Sequence, residues 1–111
     1  MIGNIEKHEQ VRQQEREGVY VDDLPAGAVL ELETQHHNYT LVKRAGSQVL
    51  ISGHPRFCPK PVAVQIEGSF SGPLMLYPEP GFIGRGMCLM FNHPVYHTVT
   101  TSRIREIHKL G

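Results

Sequence analysis

Hydrophobic and polar residues alternate with a period of two along much of the chain after Gly18. The stretch 28–33 shows the alternation most cleanly, because Leu30 and Leu32 fall on one face and two glutamates fall on the other. A period of two is typical of a β-strand that has one buried face and one face in water. The pattern therefore predicts a protein built from half-buried strands.

Further short strands follow, and glycine- and proline-rich turns separate them roughly every 8–12 residues. Runs 38–43 and 48–52 flank a turn at Ala45, Gly46 and Ser47, which predicts an antiparallel hairpin. The other runs lie at residues 62–67, 74–77, 87–91 and 95–101, whereas 104–107 fits either a strand or a helical turn. About six or seven short strands without a long helix between them indicate an all-β fold. A small barrel-like antiparallel sheet is favoured over a sandwich, because closure removes exposed strand edges.

The residues before Gly18 follow a different pattern, which predicts a polar helix over 4–17. Asn4 can cap its start and Gly18 can end it. Ile5 and Val11 are its only apolar residues, so we expect the helix to dock on the β domain or on a neighbouring subunit. The sequence thus predicts a polar N-terminal helical extension, residues 1–18, and a small all-β barrel-like domain, residues 19–111.

Composition sets further bounds. A chain of 111 residues with 40% hydrophobic content has room for one domain with one core. No apolar run approaches the ~20 residues of a membrane-spanning helix, and the N-terminus lacks the apolar stretch of a secretory signal. Two cysteines do not make a disulfide framework. These features predict a cytoplasmic protein with no membrane contact.

Charge is distributed unevenly, although the formal net charge is zero. Residues 1–33 contain eight acidic and three basic side chains, and residues 34–111 contain the reverse. No acidic residue lies between Glu33 and Glu67. This acid-free stretch, 34–66, could bind nucleic acid or another anion through cations beside an aromatic ring. The candidate binding residues are Lys43, Arg44, Arg56, Phe57 and Lys60, together with Arg85, which lies between two glycines.

Two short segments resemble each other and suggest a metal site as a second alternative. Residues 54–58 and 93–97 both read His-Pro-x-aromatic-x and end in Cys or His. Four nitrogen and sulfur ligands are what a tetrahedral zinc site requires, and the candidates are His54, Cys58, His93 and His97. In an extended strand each pair would lie ~13 Å apart, so both segments would have to bend and meet at one end of the barrel. The simpler interpretation is two loops and a small buried cysteine, so no cofactor is expected and zinc stays an alternative.

The run 87–91 is apolar on both faces of a strand. One face can serve the core, and the other is then available to the N-terminal helix or to another subunit. The candidate interface residues are Met87, Leu89, Met90 and Phe91.

No sequence motif for a catalytic nucleophile is present, and the glycine-rich segment 81–86 lacks the Lys-Ser or Lys-Thr of a phosphate-binding loop. The sequence therefore predicts a non-catalytic binding or assembly module of the cytoplasm. A protein partner or self-association into a homo-oligomer is favoured over nucleic acid.

Overall fold

The computed structural model describes residues 17–71 and 77–110. Within these ranges the chain forms nine strands and one short 3-10 helix. In chain order they are β1 (Gly18–Tyr20), the 3-10 helix (Val21–Asp23), β2 (Val29–Thr34), β3 (Asn38–Ala45), β4 (Gln48–Ser52), β5 (Val62–Phe70), β6 (Glu79–Pro80), β7 (Phe82–Gly84), β8 (Cys88–His93) and β9 (His97–Lys109).

Six of these strands close into an antiparallel barrel. The order around the barrel is β2-β3-β4-β5-β8-β9, and β9 pairs with β2 to complete the ring. Each barrel strand therefore lies beside the next barrel strand in the chain, although β6 and β7 come between β5 and β8. The predicted all-β barrel is confirmed, as is the hairpin of β3 and β4 around Gly46. Gly46 lies at φ 57°, a left-handed conformation that glycine adopts without steric cost.

The α-helix predicted over residues 4–17 falls outside the described residues except for Glu17, which is not helical. The described ranges contain no α-helix, so the structure gives the predicted extension no support. The strand predicted over 74–77 also falls outside them, apart from Tyr77, which lies in a bend. The division of the chain at residue 18 stays a prediction. Within the described ranges, no helix has the length and apolar character needed to cross a membrane.

Alternation along the barrel strands builds the core. On β2, Leu30 and Leu32 point inward, and on β8 the wholly buried Leu89 and Phe91 do the same. The period-two pattern of the sequence thus separates the buried face from the solvent face. The buried hydrophobic cluster comprises Val21, Leu30, Leu32, Tyr39, Leu41, Val49, Ile51, Cys58, Val64, Ile66, Ile83, Leu89, Phe91, Val99 and Ile104.

The last strand, β9, is continuous from His97 to Lys109, whereas the sequence suggested a break near residues 100–102 and left 104–107 open between strand and helix. A bulge accounts for the apparent break. Cys88 faces Arg103 and Met90 faces Thr100, so a two-residue step on β8 is matched by three residues on β9. The hydroxyl of Thr101 accepts a hydrogen bond from the Leu89 N–H and donates one to the Ser102 carbonyl. A side chain thereby satisfies the backbone where the ladder is interrupted.

An excursion between β5 and β8 carries two further strands. β6 pairs with the end of β5, and β7 pairs with β1 in a separate two-stranded ribbon. The close approach of β6 requires glycine at position 68, since a Cβ there would lie 1.9 Å from the Glu79 carbonyl oxygen. Arg85, just after β7, binds Glu17 before β1 and Glu106 on β9, which ties the ribbon to the barrel.

Candidate functional site at the histidine-rich end of the barrel

Three connections lie at the same end of the barrel, because consecutive strands run in opposite directions. They are the β2–β3 turn (35–37), the β4–β5 loop (53–61) and the β8–β9 turn (94–96). Six histidines lie in the described ranges, and five of them are on or directly beside these connections. They are His36, His37, His54, His93 and His97, and we call this region the histidine-rich end.

His93 closes the β8–β9 turn with its own side chain. Its Nδ1 accepts hydrogen bonds from the backbone N–H groups of Val95 and Tyr96, at 3.0 and 3.1 Å. Its Nε2 lies 2.9 Å from the carbonyl oxygen of Phe57, in the neighbouring loop. A carbonyl oxygen can only accept, so the Nε2–H of His93 donates to it. Both ring nitrogens of His93 are therefore used in joining the two connections.

His54 repeats this geometry at the start of the β4–β5 loop. Its Nδ1 accepts from the N–H groups of Arg56 and Phe57, at 3.1 and 3.2 Å. The pKa of His54 is lowered, first by desolvation and then by the charges of His37 and Arg56. The repeated His-Pro-x-aromatic sequence thus encodes a turn closed by its own imidazole.

Side-chain rings connect the three turns in a continuous series. The His37 and His54 rings lie 4.2 Å apart between centroids, and the His54 and Phe57 rings lie 4.6 Å apart. Phe57 then meets Tyr96 edge to face at 5.1 Å, and Tyr96 contacts His93 at 4.9 Å. We call His37, His54, Phe57 and Tyr96 the ring series. It forms one surface from side chains that are far apart in the sequence.

A cleft of about 240 Å³ opens beside the ring series. Hydroxyl groups from β9 and imidazoles from the β2–β3 turn both line it, and the backbone N–H of His36 donates to the Ser102 hydroxyl at 3.2 Å. Its lining comprises His36, His37, Tyr39, His54, Phe57, Thr100 and Ser102. The cleft therefore offers hydrogen-bond donors and acceptors next to aromatic rings.

Positive charge accompanies the rings. The Arg56 guanidinium lies 5.7 Å from the centroid of the Phe57 ring, and Lys60 is exposed in the same loop. No acidic residue occurs in the stretches 34–66 and 80–105, which supply all three connections. The nearest carboxylate along the chain, Glu33, binds His108. The three connections of the histidine-rich end therefore contain basic side chains and no acidic ones.

Two ionisable groups beneath the ring series stay neutral at neutral pH. Burial raises the pKa of the Cys58 thiol above its ordinary value. Burial also raises the pKa of Tyr39 to about 12, with a further contribution from Cys58. Neither group adds a negative charge to the histidine-rich end.

The structure brings the four proposed zinc ligands to one end of the barrel. The imidazole Nδ1 atoms of His54 and His93 are both occupied by backbone N–H groups, and Cys58 is buried. Among residues 17–71 and 77–110, no group of three or more His, Cys, Asp or Glu side chains is arranged to hold a metal ion. Hydrogen bonds and ring contacts join the two segments.

The remaining candidate binding residues lie elsewhere. Lys43 is only 5% exposed, because strand alternation turns it inward with Leu41, and its Nζ donates to the Val21 carbonyl. Arg44 is exposed near the β3–β4 turn, at the opposite end of the barrel. Arg85 binds Glu17 and Glu106, so two carboxylates already offset its charge.

The candidate interface residues divide between the two faces of β8. Leu89 and Phe91 are wholly buried in the core, so neither reaches the barrel surface. Met90 points the other way with Cys88, and both are partly exposed, as is Met87 just before the strand. The apolar outer face of β8 is therefore smaller than the sequence run suggests.

Comparison of the chain with protein-family profiles, with curated proteins and with solved structures gives no significant match.

The sequence indicates Arg56, Phe57 and Lys60 as candidate binding residues, whereas the candidate binding roles of His37 and Tyr96 emerge only from the structure. The repeat that contains Tyr96 also contains potential metal ligands, which suggest zinc as an alternative. The aromatic residue that both segments share is the sequence feature that could have indicated a binding role. Two equivalent turns at one end of a barrel place their aromatic rings side by side.

Proposed function

We propose that the protein is a non-catalytic binding module that binds an anionic ligand at the histidine-rich end. The observation that carries the proposal is the joining of three acid-free connections into one surface of rings and cations. The depression of about 270 Å³ beside Arg85 provides a contrast, since its lining includes the carboxylates of Glu17 and Glu106.

The geometry favours binding because the surface is organised before a ligand arrives. The imidazoles of His54 and His93 fix both turns, and the hydrogen bond to Phe57 fixes their relative position. A preorganised site loses less conformational entropy on binding than a flexible loop does. The exposed Arg56 and Lys60 provide an attractive potential that acts over about one Debye length, ~10 Å at moderate salt.

Retention on immobilised heparin tests the proposal. We expect the double substitution Arg56→Glu and Lys60→Glu to lower the salt concentration at which the protein elutes. The matched control is Arg44→Glu with Lys109→Glu, which changes the net charge equally at the opposite end of the barrel. Equal loss of retention in both variants, or no retention of the unmodified protein, would overturn the proposal.

The cytoplasmic location and the assembly role stay predictions. Met87 and Met90, partly exposed on and beside β8, are the residues through which a homo-oligomer or protein partner would make apolar contact. The mass in solution of the unmodified chain and of Met90→Glu tests this role. The role requires that the unmodified chain forms an oligomer and that the substitution lowers its mass.

A further inference from the structure

We propose that the anionic ligand is a single strand of nucleic acid, whose bases stack on the ring series while its phosphates contact Arg56 and Lys60. This inference rests on the proposed function and gives it a chemical class of ligand. It depends on rings and cations being interleaved on one surface. An inorganic anion would need the cations alone, whereas a nucleotide chain uses both.

The rings are accessible at the surface. Tyr96 is 45% exposed, and His37, His54 and Phe57 are partly exposed. Every nucleobase has a π-face, so stacking on aromatic side chains binds single strands with little sequence preference. Because the rings of Phe57 and Tyr96 come from different connections, the surface extends across the end of the barrel and can contact more than one base.

The cations lie where a phosphate backbone would pass. Arg56 contacts the Phe57 ring, and Lys60 follows within the same loop. The Arg56 guanidinium lies over the Phe57 ring, so a base stacked on the ring series has a cation nearby that can bind its phosphate. The absence of carboxylates from all three connections removes the charge repulsion that a polyanion would otherwise meet.

The cleft beside the ring series favours a single strand over a duplex. Its lining includes His36, Thr100 and Ser102, which can form hydrogen bonds with the edges of a base or with a sugar. In a duplex those edges are paired and the base faces are stacked on each other. A single strand exposes both features.

Fluorescence anisotropy with end-labelled oligomers of about ten nucleotides tests the inference on the full chain. The probes are oligo-dT, an abasic oligomer with the same number of phosphates, and a duplex of the same length. We expect oligo-dT to bind about fivefold or more tightly than the abasic oligomer, which corresponds to the stacking of at least one base. We also expect it to bind more tightly than the duplex.

Two classes of variant separate stacking from charge. Tyr96→Leu should weaken oligo-dT binding about fivefold and leave abasic binding unchanged, and Phe57→Leu serves as a second stacking variant. The control is Tyr77→Leu, which alters a tyrosine that is 80% exposed at the opposite end of the barrel. Arg56→Ala should weaken binding of both oligomers and reduce the salt slope by about 0.7, the contribution of one phosphate contact on a single strand.

The outcomes distinguish the two proposals. Equal binding of oligo-dT and the abasic oligomer, or no loss of oligo-dT affinity in Tyr96→Leu, would overturn the nucleic-acid inference. Retention on heparin in that case would still support the proposed function. Tighter binding of the duplex would also overturn the inference. Absence of both oligomer binding and heparin retention would overturn both proposals.

Discussion

The imidazole of His93 donates its Nε2–H to the backbone carbonyl of Phe57 over 2.9 Å. This bond joins the β8–β9 turn to the β4–β5 loop, two connections that share no strand. Because Nδ1 of the same ring accepts two N–H groups of its own turn, one side chain both shapes a turn and fixes its neighbour. The relative position of Phe57 and Tyr96 follows from it.

Removal of His93 should destabilise the barrel. His93→Ala loses the turn-closing bonds and the bond to Phe57, and we expect a loss of about 1–3 kcal/mol in the free energy of unfolding. His93→Asn retains an acceptor for the turn but cannot make the bond to Phe57, so its loss should be smaller, about 1 kcal/mol. Urea denaturation measures both values.

The exposed His36 provides the control for His93. His36→Ala should change the free energy of unfolding by no more than about 0.5 kcal/mol. A similar value for His93→Ala would show that the imidazole does not hold the two connections together.

Replacement of His97 by glycine should stabilise the protein. His97 has φ 62°, and no other non-glycine residue among those described has a positive φ. The left-handed conformation costs a residue with a Cβ roughly 1–2 kcal/mol, which glycine avoids, although its greater freedom in the unfolded chain offsets part of the gain. We expect His97→Gly to raise the free energy of unfolding by up to about 1 kcal/mol.

Thr98→Gly is the matched control, because Thr98 is the next residue of β9 and does not have a positive φ. It should lower stability by roughly 0.5–1 kcal/mol. Denaturation curves that moved in the same direction for both variants would contradict the assignment of strain to His97.

Lys43 should contribute to folding and not to ligand binding. Lys43→Ala leaves a gap in the core and removes the donor that the Val21 carbonyl uses, so we expect a loss of about 1–3 kcal/mol in the free energy of unfolding. Arg44→Ala, next to it on the solvent side, should change stability by less than about 0.5 kcal/mol. Reduced heparin retention in a folded Lys43→Ala variant would contradict the structural role.

Strand alternation alone could have assigned Lys43 to the core. Tyr39 and Leu41 are the obvious inward residues of β3, and a period of two continues to Lys43. Its positive charge instead favoured the prediction that Lys43 is an exposed binding residue. Periodicity is a strong signal for the fold because it follows from backbone geometry, and here it outweighs the ordinary preference of a lysine for water.

The stability of the protein should fall as the pH falls, because of His54. Its pKa is lowered in the folded state, so the unfolded chain binds more protons as the pH drops below about 6.5, and the balance shifts toward unfolding. Protonation of Nδ1 would also replace the acceptor that the N–H groups of Arg56 and Phe57 use. We expect His54→Asn to lose less stability than the unmodified protein between about pH 7.5 and about pH 5.5.

His108 provides a comparison of opposite sign. The hydrogen bond to Glu33 raises the pKa of His108, so its stabilising contribution is present below about pH 6.5 and is lost as the pH rises through the raised value. In an NMR titration, the His54 midpoint should lie below that of His108, and Glu33→Gln should lower only the His108 midpoint. Coincident midpoints for the two imidazoles would contradict both assignments.

The site was less predictable than the fold because its contacts are non-local. Alternation and turn residues reveal each strand separately, and they indicated the barrel. The contact of Phe57 with Tyr96 depends on which connections share an end and how far each loop leans, which spacing along the chain does not specify. The two His-Pro segments indicate related loops, with zinc as an alternative to simple loops, and the structure shows that an imidazole closes each turn by hydrogen bonds.

Closure of the barrel determines when the proposed binding surface can form. The β2–β3 and β8–β9 hairpins contain only local contacts, whereas the pairing of β2 with β9 spans nearly the whole described chain and carries the largest loop-closure entropy. The contact of Phe57 with His93 is long-range, because it joins the loop before β5 to the end of β8, and these two strands pair with each other. The proposed ligand of this joined surface would therefore bind the finished barrel and not its precursors. By mass action, such a ligand would protect the protein from unfolding in proportion to the logarithm of its concentration once the site is saturated.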